Sequence, residues 1–214
     1  MQVGLRTKSN YLFIFFLICY LIIHLTSLEI FPLPWFDEVF FASISNHLID
    51  YGSFYPEVSW FAFEKHELVL YGPIYFFMNT FFVKLLGWNA FSLRLLNFLC
   101  GIFSIFISFK LLKKEQISIL LIFIFLLDPF FNIGLHEGRM DLVALFFALT
   151  SIYYLQKHSV NILYVGLSSV FVSLAILTTP RIAIILVPSV FLGLFYVKYS
   201  SQKSLFLSLW IVPT

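Results

Sequence analysis

The chain has 214 residues, of which 61% are hydrophobic and only 11% are charged, and its mean hydropathy is +0.96. A soluble domain has no core large enough for this much apolar side chain, so the composition excludes a soluble globular protein and predicts a polytopic membrane protein. The formal net charge is only +2. No strong basic field therefore points to nucleic acid as a partner.

Six apolar stretches are long enough to cross a bilayer core, which takes roughly 20 helical residues. They occupy approximately residues 11–30, 91–109, 116–133, 140–156, 160–178 and 181–197. A further apolar stretch begins at Ser204 and is too short to cross before the sequence ends at Thr214. We therefore expect an all-α transmembrane bundle, with six full spans and a partial seventh, that forms one membrane domain over residues 1–214.

The basic residues predict the orientation of the bundle, because cytoplasmic loops retain Lys and Arg. Eight of them fall at alternate span ends: Arg6, Lys8, Lys110, Lys113, Lys114, Lys157, Lys198 and Lys203. This places the N-terminus in the cytoplasm. Every acidic residue except Glu115 lies near the opposite span ends or in the loop between the first two spans, so we expect the outer face to carry the chemistry.

The long outer loop, residues 31–90, mixes aromatic runs with charges, which favours interfacial helices over a soluble domain. Pro32 and Pro34 end the first span. A helix is expected over about residues 38–50, ending at Tyr51-Gly52. A second is expected to open at Pro73 and to close after residue 86.

An acidic pair opens the first of these helices, in the sequence "FDEVFFA". Helical spacing places Asp37 on the apolar stripe that contains Phe40 and Phe41, so this carboxylate is expected to face protein or lipid. Its position suits an N-cap equally well, and one residue can do both. Glu38 lies on the neighbouring face with Ala42, where an ordinary first-turn acid favoured by the helix dipole is the simpler interpretation.

The sequence "HEGRMD" stands at the outer mouth of the third and fourth spans and carries His136, Glu137, Arg139 and Asp141. Ionisable groups at a membrane boundary usually line a polar cavity or pair with one another. We expect a polar cavity, with Arg139 free for another partner. The alternative is an interfacial loop with an internal pair between Arg139 and Asp141.

Four further residues are candidates. Arg94 begins the second span and offers a guanidinium fork that suits phosphate, although snorkelling to the headgroups explains a lone Arg at a span end as well. Asp128 precedes Pro129 within the third span, which predicts a kinked helix with an acid facing the bundle interior, in a structural or a functional role. His66 and Glu67 share the outer loop with Asp37.

Taken in order, four segments resemble the GT-C superfamily of polyprenyl-phosphate-dependent glycosyltransferases, in particular the protein O-mannosyltransferases and the aminoarabinose transferases that modify lipid A. The segments are "FDEVFFA", "YGPIYFFMNTFFVKLLGWNAFSLRLLNFLCGIFSI", "HEGRMDLVALFFALTSIYYL" and "LAILTTPRIAIILVPSVFLGLFYV". The sequence departs from the family pattern at Tyr71-Gly72-Pro73, where many relatives have His-Pro-Pro. Full members also continue through several more spans, so we expect a truncated or inactive form as one alternative.

The resemblance implies a multi-pass protein of the bacterial inner membrane that transfers a sugar from a polyprenyl-phosphate donor to a hydroxyl of a lipid, glycan or protein acceptor at the outer face, with inversion. It implies Asp37 as the general base beside Glu38, and Arg139 and Arg94 as ligands of the donor phosphate. The remaining candidates would line the cavity: His136, Glu137, Asp141, His66, Glu67 and Asp128. Some GT-C enzymes bind a divalent metal through such acids, which leaves a metal cofactor open. The competing hypothesis is a noncatalytic membrane protein, a lipid-carrier transporter or an assembly partner, whose outer charges pair structurally.

Overall fold

The structure is a computed structural model. It describes residues 2–54, 71–111, 122–157 and 163–186, with side chains described from residue 15 onward. All regular secondary structure in these ranges is helical, so the predicted all-α class is confirmed. The main helices are α1 (Gln2–Ser27), α2 (Phe36–Tyr51), α3 (Pro73–Leu86), α4 (Ala90–Leu111), α5 (Pro129–Leu135), α6 (Asp141–Gln156) and α7 (Leu163–Thr178). A helical segment at residues 122–127 precedes α5, and a 3-10 turn, Pro180–Ile182, follows α7.

The two helices predicted in the outer loop are both present. Helix α2 ends at Gly52, whose φ of 70° lies in the left-handed region that glycine adopts without strain. Helix α3 has Pro73 in its first turn, where the missing N–H of proline costs no hydrogen bond. Asp37, however, is not the N-cap of α2, and that expectation is wrong. The helix starts two residues earlier than predicted, with Trp35 as the extended cap, so Asp37 is a first-turn residue.

Helix α4 lies at the centre of the bundle and contributes to both large hydrophobic clusters. Leu96 and Cys100 pack in one cluster with residues of α2, α3, α6 and α7. Phe98 and Ile105 pack in the other with residues of α5 and α6 and the end of α1. Because α4 is covered on several sides, a polar residue on it must find its partners inside the bundle.

Buried serines let the helices approach closely without leaving a hydroxyl unpaired. Ser104 donates to the Cys100 carbonyl at 2.7 Å, and Ser151 donates to the Ala148 carbonyl at 2.9 Å. Small residues whose hydroxyls bond to their own helix are typical of helix interfaces in membrane proteins.

One helix among the described residues, α4, is by itself long and apolar enough to cross a membrane. Its 22 residues extend about 33 Å at 1.5 Å per residue. The apolar part of α1 (Phe15–Ser27) and the helices α6 and α7 are shorter. The predicted partial seventh span and most of the sixth lie outside the described residues, so the span count stays a prediction.

Helix α3 buries one face and exposes an apolar stripe on the other. Phe77, Phe81 and Leu85 are 54%, 62% and 67% exposed, while Tyr75 and Phe76 are buried in the bundle. An exposed stripe at this spacing suits a helix that lies in a membrane interface, as the sequence predicts.

Candidate functional site

A buried ion pair joins the first turn of α2 to the second turn of α4. The Arg94 Nε donates to Glu38 Oε1 at 2.6 Å and its Nη2 donates to Glu38 Oε2 at 2.8 Å. The same guanidinium donates to the carbonyls of Leu28 at 2.7 Å and Pro32 at 2.9 Å. Glu38 is 2% exposed and Arg94 is fully buried. The pair therefore locks the end of α1, the turn after it, α2 and α4 together.

This arrangement reverses the sequence interpretation of the acidic pair. Helical spacing assigned the buried face to Asp37, but Glu38 is the buried carboxylate and Asp37 is half-buried. The reason is that α2 packs against α3 on one side and, through Glu38, against α4 on the other. The face that carries Ala42 and Ser45 is consequently as buried as the apolar stripe with Phe41.

Glu38 also holds the loop between α5 and α6, residues 136–140, which we call the HEGRM loop. The backbone N–H of Gly138 donates to Glu38 Oε1 at 3.0 Å. The Asn97 side-chain amide donates to the carbonyls of Glu137 and Arg139. The loop is thus fixed to α2 and α4 by three hydrogen bonds, although it has no regular structure of its own.

His136 anchors the same loop to the turn after α1. Its Nδ1 lies 2.8 Å from the Phe31 carbonyl oxygen and its Nε2 lies 2.7 Å from His24 Nδ1. A carbonyl only accepts, so Nδ1 of His136 carries the proton and Nε2 of the neutral ring accepts from His24. Burial lowers the pKa of His136, an effect that the bond to Phe31 opposes and the charge of Arg94 reinforces.

Arg139 is paired, so the expectation that it stays free is wrong. Its Nε lies 3.4 Å from Asp141 Oδ2 and its Nη1 lies 3.8 Å from Glu137 Oε2. The internal pair with Asp141, the alternative from the sequence, is therefore present. Both contacts are longer than ordinary charge-assisted hydrogen bonds, and the Arg139 side chain remains 32% exposed. Arg139 therefore pairs with two acids that are close to it in the sequence, Glu137 and Asp141.

The Glu38–Arg94 ion pair and the bond from Gly138 hold the HEGRM loop against the first turn of α2, the turn that also carries Asp37. Burial raises the pKa of Glu137, and the carboxylates of Glu38, Asp141 and Asp37 raise it further while Arg139 opposes the shift. Asp37 itself forms no hydrogen bond or ion pair with any of the residues that the structure describes.

A cavity of about 480 Å³ lies between the end of α1, the turn after it, and α5, and neither Asp37 nor Arg139 is among the residues that line it. Its polar lining includes the predicted residues His136 and Glu137, together with His24 and Asn132. Its apolar lining includes Trp35 and neighbouring residues of the turn. Asp141 lies outside this cavity and faces Arg139 instead.

Asp128, another predicted site residue, does not line this cavity. Asp128 caps α5, accepting from the Phe130 N–H at 3.0 Å where the helix breaks before Pro129. The predicted kink is confirmed, but the acid serves the helix end and does not line the cavity. His66 and Glu67 lie outside the described residues.

The geometry also corrects the role expected of Arg94. All its side-chain nitrogens already donate to Glu38 or to backbone carbonyls in the interior. It is neither a snorkelling residue nor open to a phosphate.

Two functional candidates were missed by the sequence reasoning, Asn97 and Tyr75. Both are buried, and the Tyr75 hydroxyl has no hydrogen-bond partner among the described residues. A polar side chain within an otherwise apolar span is the signal that could have identified Asn97. Tyr75 carries no such signal, since tyrosine is common in interfacial helices.

The described residues contain no group of three or more His, Cys, Asp or Glu side chains arranged to hold a metal ion. Glu38 is saturated by Arg94, and Glu137 and Asp141 face Arg139. These described residues therefore do not fit a divalent metal.

No protein-family model and no curated protein sequence matches the chain. Two crystal structures are similar to it, both of ArnT from Cupriavidus metallidurans. The structure bound to undecaprenyl phosphate has a TM-score of 0.78 at 16% identity and covers 96% of this chain and 39% of ArnT. The apo structure has a TM-score of 0.72 at 15% identity and covers 97% of this chain and 41% of ArnT.

The chain thus spans less than half the length of ArnT. At this identity the likeness shows the fold alone. It confirms an all-α membrane-protein fold and supports the GT-C fold that the sequence resemblance implies.

Proposed function

We propose that the chain is a membrane glycosyltransferase, which transfers a sugar from a polyprenyl-phosphate donor to an acceptor hydroxyl at the outer face of the membrane. The observation that carries the proposal is the attachment of the HEGRM loop to α2 through Glu38, which joins the loop that carries Arg139 to the helix turn that carries Asp37. The site thereby combines a carboxylate without a partner in the described residues and a partly exposed guanidinium. The similarity to ArnT bound to undecaprenyl phosphate supports the choice of donor.

Asp37 would act as the general base. The acceptor oxygen attacks the anomeric carbon on the face opposite the phosphate, so that the new carbon–oxygen bond forms as the bond to the phosphate oxygen breaks. The leaving phosphate takes the bonding electrons, and the proton of the acceptor hydroxyl goes to Asp37. Asp37 is half-buried, so less bulk water reaches its carboxylate, and a bound acceptor hydroxyl can form the hydrogen bond through which the proton is transferred. Direct displacement inverts the anomeric centre.

Arg139 would bind the phosphate of the donor. Its contacts to Asp141 at 3.4 Å and to Glu137 at 3.8 Å are long and leave the planar donor fork partly available. Charge on the leaving phosphate develops in the transition state, where a fixed cation stabilises it most. Arg94 would have a positioning role, since it holds Glu38 and so the loop that carries Arg139.

The test is transfer of radiolabel from an undecaprenyl-phosphate-linked hexose in membranes that contain the chain. The Asp37→Asn variant should lose activity by about 100-fold or more, because the base contribution is removed while the shape is kept. The control is Asp50→Asn, the same substitution at an exposed acid near the other end of α2, which should keep wild-type activity. Full activity of a normally folded Asp37→Asn variant would refute the assignment of the base.

A second function is favoured by the pairing of the charges. Glu38 with Arg94, and Glu137 and Asp141 with Arg139, account for most ionisable groups of the site without a ligand. Such pairing is expected of a noncatalytic membrane protein, a lipid-carrier transporter or an assembly partner. Binding of undecaprenyl phosphate without transfer of label in the same assay would support this function over the enzyme.

A further inference from the structure

Three buried polar atoms around the candidate site lack a hydrogen-bond partner within the described part of the chain. They are Tyr75 Oη, Asn97 Oδ1 and Arg139 Nε. The nearest acceptor to Arg139 Nε, Asp141 Oδ2 at 3.4 Å, is not aligned for a hydrogen bond. Buried polar atoms are rarely left unpaired, since each has lost its water without a replacement. A fourth such atom, Asn79 Oδ1, is on a side chain directed toward α2.

The three atoms lie on elements that contact one another. The Asn97 amide nitrogen donates to the carbonyl of Arg139, so the two residues are in contact. The Tyr75 ring packs in the same cluster as Cys100, which follows Asn97 by one turn of α4. The Tyr75 hydroxyl also lies within electrostatic range of Arg139 and Asp141. Helix α3, helix α4 and the HEGRM loop each contribute one atom.

Their donor and acceptor properties select one chemical class. The Asn97 nitrogen faces two carbonyls, which fixes Oδ1 as the free end of the amide and as an acceptor. Arg139 Nε can only donate, and the Tyr75 hydroxyl can donate. A hydroxyl-type oxygen gives one hydrogen and accepts two, which matches this set. A phosphate or carboxylate oxygen has no hydrogen and would oppose Asn97 Oδ1 with a second acceptor.

We propose that Tyr75, Asn97 and Arg139 form a subsite for a single hydroxyl-type oxygen, supplied either by the sugar of a lipid-linked donor or by a buried water. The sugar source rests on the proposed glycosyltransferase function, and the water source does not. In both cases Tyr75 helps to hold Arg139 in place. Because the oxygen is enclosed by three different elements, its loss affects the relation between the HEGRM loop and α3.

The test uses Tyr75→Phe, which removes the hydroxyl and keeps the ring. The matched control is Tyr71→Phe, the same change on a half-buried tyrosine just before α3. For each purified protein in detergent, we would measure the melting temperature and the affinities for undecaprenyl phosphate and for undecaprenyl-phosphate-linked glucose. Tyr71→Phe should match the wild type in all three.

If a sugar hydroxyl fills the subsite, Tyr75→Phe should bind the glucose-linked lipid about tenfold more weakly and undecaprenyl phosphate unchanged. If a water fills it, Tyr75→Phe should lower the melting temperature by about 2–4 °C without lipid and weaken both lipids alike. The proposal is overturned if the melting temperature rises or is unchanged and neither affinity changes. If the wild type binds neither lipid, the proposed function fails, and the melting temperature alone decides whether the subsite holds an oxygen.

Discussion

The Glu38 carboxylate and the Arg94 guanidinium meet edge to edge, with nitrogen–oxygen distances of 2.6 and 2.8 Å, in the interior between α2 and α4. Their remaining bonds run to Leu28, Pro32 and Gly138, so one ion pair connects three segments that are far apart in sequence. Asp37 and Arg139, whose side chains stay partly exposed, lie on two of the segments that this pair holds together.

Removal of one partner of this pair should be costly. Glu38→Ala leaves the Arg94 charge buried without a counter-charge, and we expect a loss of about 3–5 kcal/mol in the free energy of unfolding. Asp37→Ala, one residue away and half-buried, should cost less than about 1 kcal/mol. Denaturant titration in mixed micelles measures both values. Equal and small losses in the two variants would show that the pair does not lock the site.

The sequence predicts where helices begin and end, but not which side chains pair between helices. The sequence predicts α3 and the end of α2 nearly to the residue, because Gly52, Pro73 and Gly87 act through their own backbone, whereas α2 begins two residues before the predicted start. The burial of Glu38 was not predicted. Helical spacing gives the faces of α2, whereas the number of covered faces depends on α4, which follows about 40 residues later in the chain.

The site shows the same limit. The six residues of "HEGRMD" were identified as a unit because their charges are adjacent in sequence. The partners that shape this segment, Phe31, Glu38 and Asn97, come from other elements, so the sequence could not predict how the loop is attached to the rest of the bundle. The Tyr75 hydroxyl became a candidate only once its burial was known.

Asp128 should matter to stability as a cap, through its oxygen and not its charge. Asp128→Ala removes the acceptor for the Phe130 N–H and should cost about 1 kcal/mol of unfolding free energy. Asp128→Asn keeps a side-chain oxygen, and its cost should be much smaller. Micelle unfolding of the two variants side by side is the measurement. A similar loss in both would point to the charge of Asp128 and against capping.

Stability should fall as the pH falls below about 6.5, because of His136. Burial lowers its pKa in the folded state, and the groups that face it are His24, Arg94, Glu38 and the Phe31 carbonyl. In the window between the unfolded pKa and the lowered folded pKa, the unfolded chain takes up a proton that the folded chain does not. The unfolding free energy therefore drops by at most about 1.4 kcal/mol per pH unit, and the loss levels off below the folded pKa.

The measurement is the pH dependence of the melting temperature in the wild type and in His136→Gln. Glu137 acts in the opposite sense at lower pH, because its raised pKa makes the folded state bind its proton more tightly. The difference between the two proteins removes that contribution. We expect a flatter profile for His136→Gln, and identical slopes would contradict the assignment.

The predicted orientation can be tested with single cysteines in a variant that lacks Cys19 and Cys100. A cysteine at Ser53, after α2, should react with an impermeant maleimide added from outside intact cells. A cysteine at Lys110, in the last turn of α4, should react only after the membrane is opened, because the distribution of basic residues places it in the cytoplasm. The reverse pattern would move the candidate site to the cytoplasmic face and would contradict the proposed outer location of the chemistry.

Gly72 is required by the close approach of α3 to the end of α7. A Cβ atom at this position would overlap the carbonyl oxygen of Leu177, which belongs to the backbone and cannot turn aside. Gly72→Ala should therefore force the two helices apart and lower the free energy of unfolding by about 3 kcal/mol or more.

The control is Gly166, within α7, which has open space where a Cβ would stand, with nothing within 4 Å. Gly166→Ala should be neutral or stabilising because alanine favours a helix. Melting temperatures of the two variants test the contrast, and a mild effect of Gly72→Ala would mean that the α3–α7 contact is looser than the structure has it. The same contact positions the start of α3, so Gly72→Ala should also disturb Tyr75, three residues further along, and with it the affinity for lipid.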